Sequence, residues 1–288
     1  MNARLFTTLQ KLLPKHSLSR LMHSLARSRN PLLKKWTLDI FLRQFNVNMQ
    51  EAVQTDPYAF DSFNAFFTRE LKSSARPIAT EPDAMVSPVD GTISQIGNIN
   101  DNLIIQAKDH HYSLLTLLGG DVKLAQRYRG GQFTCIYLAP YNYHRIHMPL
   151  AGTLRDTIYV PGDLFSVNTA TAQQLPNLFA RNERVICDFE SPPANFAMAF
   201  VGALFVGSIE TVWAGEINPV PRKKVIARID TGRGTQLNKG VEAGRFNMGS
   251  TVILVVEPNR VQWANTLQAG STVTLGQRIG TLRNQPGS

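Results

Sequence analysis

Cysteine is scarce in this sequence of 288 residues, with Cys135 and Cys187 its only two. They lie in apolar, strand-like runs, FTCIYLAP and RVICDFE, and neither has metal-ligand spacing. One bridge at most is available, which excludes the disulfide framework of a small secreted domain and leaves buried free thiols as the expectation. Long hydrophobic runs are missing too. The longest, Phe196 to Val206, is too short to span a bilayer and is broken by Gly202, so a buried strand suits it and no membrane-crossing segment is expected. The N-terminus shows no continuous apolar core followed by a small-residue cleavage site, and a secretory signal is not expected there. Charged residues amount to 18% against 43% hydrophobic. That balance excludes wholesale disorder, because enough apolar surface can be buried to offset the entropy of ordering.

Acid is the other shortage, and it is local. The net charge is +9, yet residues 1–45 hold nine basic residues against one acid, Asp39. Nearly all of the positive excess therefore sits in one segment, which points to an anionic lipid surface or to nucleic acid. The apolar residues there follow helical spacing: Leu5, Leu9, Leu12 and Leu13, then, after Pro14, Leu18, Leu21, Met22 and Leu25. Asn30 and Pro31 read as the cap and first turn of a third helix running through Leu33, Trp36, Ile40 and Phe41. Such basic amphipathic helices suit the interface of an anionic bilayer. The same faces could pack on the protein's own core, and residues 1–30, rich in Arg and Ser and free of acid, also have the texture of a mitochondrial transit peptide. Nucleic acid fits less well, since no stacking aromatics or known module accompany the charge.

Beyond Asp56-Pro57, the residues Phe63, Phe66, Phe67 and Leu71 form another short helical stripe. After Arg76-Pro77 the texture becomes one of short apolar or alternating runs divided by Gly, Pro and Asp-Gly, with one intervening helix expected over Asp121 to Tyr128. The fold class is therefore α+β, with N-terminal amphipathic helices (1–75) followed by a mostly antiparallel, β-rich catalytic core (76–288).

Several residues could carry chemistry. His144 and His147 sit in YNYHRIHMP, bounded by Pro140 and Pro149. In an extended strand, side chains three apart point to opposite faces, so a shared site would require a turn or short helix. Zinc suits a histidine pair, but no third ligand stands at helpful spacing. Asp90 in SPVDG reads by itself as part of a hairpin turn, and His110-His111 as a polar loop. Gly249-Ser250-Thr251 before Val-Ile-Leu-Val-Val marks a turn entering a strand.

In combination these segments are more specific. PVDG (88–91), YHRIHMP (143–149), PGDLFSVN (161–168) and FNMGST (246–251) stand in the order found in bacterial phosphatidylserine decarboxylases, which the whole chain resembles. FNAFFTRELK (63–72), Arg76-Pro77, the VGA and VGSI of 201–209 and WAGEI (213–217) extend the likeness. That family usually has Leu before Gly-Ser-Thr where this chain has Met248, a volume-conserving exchange.

The resemblance implies a proenzyme that cuts itself at Gly249–Ser250 into a beta chain, 1–249, and an alpha chain, 250–288. Ser250 Oγ would attack the Gly249 carbonyl, the ester would eliminate to dehydroalanine, and loss of ammonia would leave a pyruvoyl group at residue 250. His147 is implied as the base and Asp90 as the acid that orients it, completing a self-cleavage triad with Ser250. The pyruvoyl carbonyl would then take phosphatidylserine as a Schiff base and release carbon dioxide, with His144 handling the proton, to give phosphatidylethanolamine for phospholipid biosynthesis. Neither a metal nor pyridoxal phosphate is implied. The substrate places the protein peripherally on the cytoplasmic side of the cell membrane, and the family suggests a homodimer. A Ser-His-Asp hydrolase is the main alternative, but no Gly-x-Ser-x-Gly elbow is present. A pyruvoyl decarboxylase of another amino acid would not need the basic helices, and a catalytically silent binding protein would leave the ordered motifs unexplained.

Overall fold

The computed structural model describes residue 10 and residues 13–107, 110–205, 208–217, 226–249 and 251–283. Ser250 and the first apolar run, apart from Leu13, lie outside the described residues. Helix α1 (Lys15–Ala26) begins directly after Pro14, and α2 (Pro31–Gln44) begins at the expected cap. The Asn30 side chain accepts hydrogen bonds from the amides of Leu32 (3.0 Å) and Leu33 (3.2 Å), groups that the first helical turn leaves without partners. The five-residue helix α3 (Phe63–Phe67) is capped by Ser62, whose hydroxyl accepts from Ala65 N. Leu38, Ala26, Phe63, Phe66 and Phe67 form a small core of their own, with Phe41 set edge-on against Phe63, Phe66 and Phe67.

The rest is strand-rich. The strands that bear on the site are β1 (Gly91–Asn98), β2 (Gln132–Tyr137), β3 (Arg145–His147), β4 (Gly152–Val160), β5 (Arg184–Glu190), β6 (Phe196–Val201), β7 (Ser208–Thr211), β8 (Glu242–Asn247) and β9 (Thr251–Val256). Among the described residues, the largest sheet has nine strands and runs β4-β5-β6-β9-β2-β1 through its centre, every pairing antiparallel. A four-stranded sheet contains β7-β8-β3. The successive side chains of β9 alternate between the two faces of the large sheet. Ile253 and Val255 enter one hydrophobic cluster, and Val252, Leu254 and Val256 enter the other. A strand covered on both sides has no polar face, which is why TVILVV reads as an unbroken apolar run.

Most of the expected elements are present, including the buried strand β6 in the longest apolar stretch and the helix Val122–Tyr128 capped by Asp121. Both cysteines are buried and unbridged, in β2 and β5. Two local readings fail. His110-His111 is not a loop but opens the strand His110–Ser113, which pairs with Leu103–Ala107. Asp90-Gly91 is not a hairpin turn: Asp90 is buried, and Gly91 enters β1 so close to β2 that a Cβ there would lie 2.4 Å from the Tyr137 carbonyl oxygen. The dipeptide marks a close approach of two backbones.

Candidate active site

The chain leaves β8 in the small sheet at Asn247 and enters β9 in the large sheet at Thr251, with only three residues of sequence between them. So short a crossing forces an unusual backbone. Met248 has φ +90°, a region that costs a side-chain-bearing residue about 1–3 kcal/mol. Its side chain packs on the Phe63, Phe66 and Phe67 core, which holds the turn in place.

His144 faces this link. A Cβ built on Gly249 would lie 3.7 Å from its Nε2. The imidazole is wholly buried, with the Phe67 ring centred 4.0 Å away, and its own carbonyl accepts from Phe246 N. The His144 Nδ1 stands 2.8 Å from the Asn142 carbonyl oxygen, which can only accept, so Nδ1 carries the proton and Nε2 keeps its lone pair. That Nε2 is buried and has no hydrogen-bond partner among the described residues. Burial, with the Arg69 charge nearby, pushes the imidazole down to about 3, so it is a neutral base at any ordinary pH.

His147 closes the extended strand β3 and has partners of its own. Its Nδ1 donates to the Gly240 carbonyl (2.8 Å), and its Nε2 lies 3.3 Å from the Tyr143 hydroxyl. Burial lowers this histidine too, against smaller upward pulls from the Gly240 carbonyl, Glu242 and Asp90. Asp90 is brought alongside by the backbone, because His147 N donates to Pro88 O. The two side chains share no hydrogen bond. The Asp90 carboxylate is instead held by Arg76, whose Nε lies 2.8 Å from Oδ1 and whose Nη2 lies 2.6 Å from Oδ2, and by the Leu275 amide at 2.8 Å. Arg76 also binds Glu51 at 2.9 Å, and these two carboxylates raise its pKa further.

The structure thus gathers Asp90, His144, His147 and Gly249 around one end of β3 and the link into β9, with His144 next to the link and His147 next to Asp90. The reading of the sequence assigned no part in the site to four contributors: Arg76, Tyr143, Phe67 and the strained Met248. Arg76 and Phe67 fell within the FFTRELK and Arg-Pro matches, where nothing local says what they touch. Among the described residues, no group of three or more His, Cys, Asp or Glu is arranged to hold a metal ion.

A buried neutral base with an unused lone pair, set against a strained backbone link on an α+β frame, belongs to an enzyme rather than to a binding module. The class becomes specific by likeness. Residues 63–281 match the profile of the phosphatidylserine decarboxylase family, and residues 5–46 match a second profile described as PSD. The chain is 50% identical over 282 residues to the phosphatidylserine decarboxylase proenzyme of Pseudomonas fluorescens, covering 97% of this chain and 98% of that protein. It is 47% identical to the proenzymes of Alcanivorax borkumensis and Methylococcus capsulatus, over 98% and 97% of this chain and 97% of each relative. The chain belongs to the phosphatidylserine decarboxylase family, and it is a decarboxylase.

Proposed function

We propose that this chain is a proenzyme that cuts itself between Gly249 and Ser250 and then converts phosphatidylserine to phosphatidylethanolamine at the inner surface of the cell membrane. The observation that carries this reading is the buried Nε2 of His144, set beside Gly249 and without a partner among the described residues. A buried polar atom left unbonded costs about 1–3 kcal/mol, which a catalytic task can explain.

Cleavage begins with Ser250 Oγ attacking the Gly249 carbonyl, and strain at Met248 favours leaving the planar amide. His147 takes the hydroxyl proton, with Asp90 supplying negative charge behind it and Arg76 fixing that carboxylate. The ester formed at Ser250 eliminates, releasing the carboxylate of Gly249, and exchange of ammonia for water leaves the pyruvoyl group. The pyruvoyl group supplies a ketone that takes up the substrate amine and serves as electron sink for loss of carbon dioxide. His144, in contact with Phe67, offers the lone pair of Nε2, which takes up a proton from solvent and passes it to the carbon that carbon dioxide has left, returning the imidazole to its neutral form. A second reading gives His144 the cleavage step as well, because it is the imidazole placed against Gly249.

Membrane attachment rests on α1 and α2. Leu32 is 78% exposed and Trp36 57%, and with Leu33 and Ile40 they make one apolar stripe on α2, continued by Leu21 of α1. Arg20, Arg29, Lys34 and Lys35 accompany it, the composition of a helix pair lying in an anionic interface. No helix among the described residues is long and apolar enough to cross a membrane.

Intact-mass spectrometry under denaturing conditions tests the proposal, together with an assay of phosphatidylethanolamine formation. Chains 1–249 and 250–288, the second lighter by one ammonia than a chain beginning with Ser250, are expected. A single intact mass in active protein refutes the scheme.

A further inference from the structure

Beside the reacting centre is a cleft of about 650 Å³, walled by α3, by β3 and β8, and by the segment joining α1 to α2. Arginine dominates it: Arg27, Arg29, Arg69, Arg145 and Arg245 line it, with Asp61 and Glu70 as the lining acids. Arg145 and Arg245 share the carboxylate of Glu242, at 3.0 and 2.7 Å, while Glu70 and Glu210 stand farther off at 3.8 and 3.9 Å. Arg27 is paired with Glu216. Among the described residues, no carboxylate pairs with Arg29 or Arg69. Arg69 is the telling one, since it is only 4% exposed, its Nη2 reaches the Tyr141 carbonyl at 3.3 Å, and its buried Nε has no partner among the described residues. Burial lowers its pKa, against smaller upward pulls from Asp90 and Glu51, neither of which is paired with it, and a guanidinium stripped of water without a paired anion is costly to keep.

The cleft adjoins the site through shared residues. Phe67 of α3 stacks on His144, Asn64 of the same helix lines the cleft and bonds Asn247 at 3.1 Å, and Arg145 directly follows His144. We infer that this cleft is the subsite for the phosphodiester of the lipid substrate, with Arg69 as its central donor. The inference rests on the proposed function and extends it to the part of the substrate that does not react. In phosphatidylserine only a methylene and an oxygen separate the α-carbon from phosphorus, so the phosphate must lie close to the reacting carbon. The departing carboxylate is a poor match for the arginines. A guanidinium bound to it stabilises charge that the transition state loses, and the apolar side formed by Phe67 and neutral His144 suits it better. Arg27 and Arg29 come from the short segment joining the two helices that carry the apolar stripe, which sets phosphate binding beside membrane contact.

The test is calorimetric binding of dihexanoylphosphatidylserine and dihexanoylphosphatidylethanolamine, below micelle-forming concentration, to the full-length S250A chain, which does not depend on turnover. R69M is expected to weaken both at least tenfold, as loss of a charge-assisted, forked contact should. R69K is expected to fall between, keeping the charge but not the fork. If R69M fails to fold, exposed R29Q carries the test with an expected loss of about threefold. Unchanged affinity in the folded variants overturns the inference, as does dihexanoylglycerol binding as tightly as the phospholipids. Inorganic phosphate displacing the lipid at equal concentration would show an adventitious ion only, and would overturn it too. Wild-type protein that binds these lipids but forms no phosphatidylethanolamine would refute the proposed function and leave the subsite standing. Normal turnover with unchanged R69M affinity would do the reverse.

Discussion

His144 and His147 are separated by two residues, yet their side chains meet different groups. Each has Nδ1 tied to a carbonyl, so each offers Nε2 as base, but among the described residues only the His147 Nε2 meets a hydroxyl, that of Tyr143. H147A and D90N are accordingly expected to remain uncut, whereas H144A is expected to cleave and then turn over at least a hundredfold more slowly. Gel analysis of processing beside a turnover assay checks this, and an uncut H144A would favour the second reading. The depressed pKa of His144 also has a thermodynamic sign. Between about 3 and the ordinary 6.5 the unfolded chain binds a proton that the folded chain refuses, so this residue makes stability fall as pH drops through that window. The contribution has a slope approaching 1.4 kcal/mol per pH unit. Urea denaturation of S250A between pH 7 and 5 is expected to show it, and S250A/H144Q to show a shallower decline. Equal slopes would mean that the imidazole is not held neutral.

At the scale of elements, the helices were legible because their signals are local. Pro14 and the Asn30-Pro31 pair marked where α1 and α2 begin, and the 3.6-residue spacing marked them as helices. Strands were legible as runs between turn residues, yet their order was not. The neighbours of β9 are β6 and β2, whose pairings join Thr251 to Val201 and to Tyr137, and no local pattern encodes partners so distant. The same limit hid the Arg76 clamp on Asp90, since an Arg before Pro says nothing of a carboxylate fourteen residues on. Which face of α2 is free was also undecidable from periodicity. The structure buries Leu38 and leaves Leu32 and Trp36 outside. Replacing both with Ser is therefore expected to cut co-sedimentation with phosphatidylglycerol-containing vesicles several-fold while leaving the melting temperature within about 2 °C, because exposed positions contribute little to folding. Unchanged sedimentation would remove α2 from the membrane contact.

At the scale of the molecule, the proposed cut falls at the junction of two sheets, and the smaller product, 250–288, keeps β9 at its start. That strand is enclosed, paired along its whole length with β6 on one side and β2 on the other, with all six residues buried. Its five aliphatic side chains would cost on the order of 10 kcal/mol to expose. Further along the same piece, Val261–Trp263 and Arg278–Leu282 pair with each other, the latter also pairs with Ala84–Val86, and Thr272–Val273 pairs with β1. Cleavage can therefore release strain at Met248 without releasing the fragment, which gives residue 250 freedom to change chemically inside an intact site. The two chains are expected to co-elute as one species in size-exclusion chromatography without denaturant, and to separate only at denaturant concentrations that also abolish the far-ultraviolet strand signal. A small chain that dissociates under native conditions would mean that β9 is not the central strand of the processed enzyme.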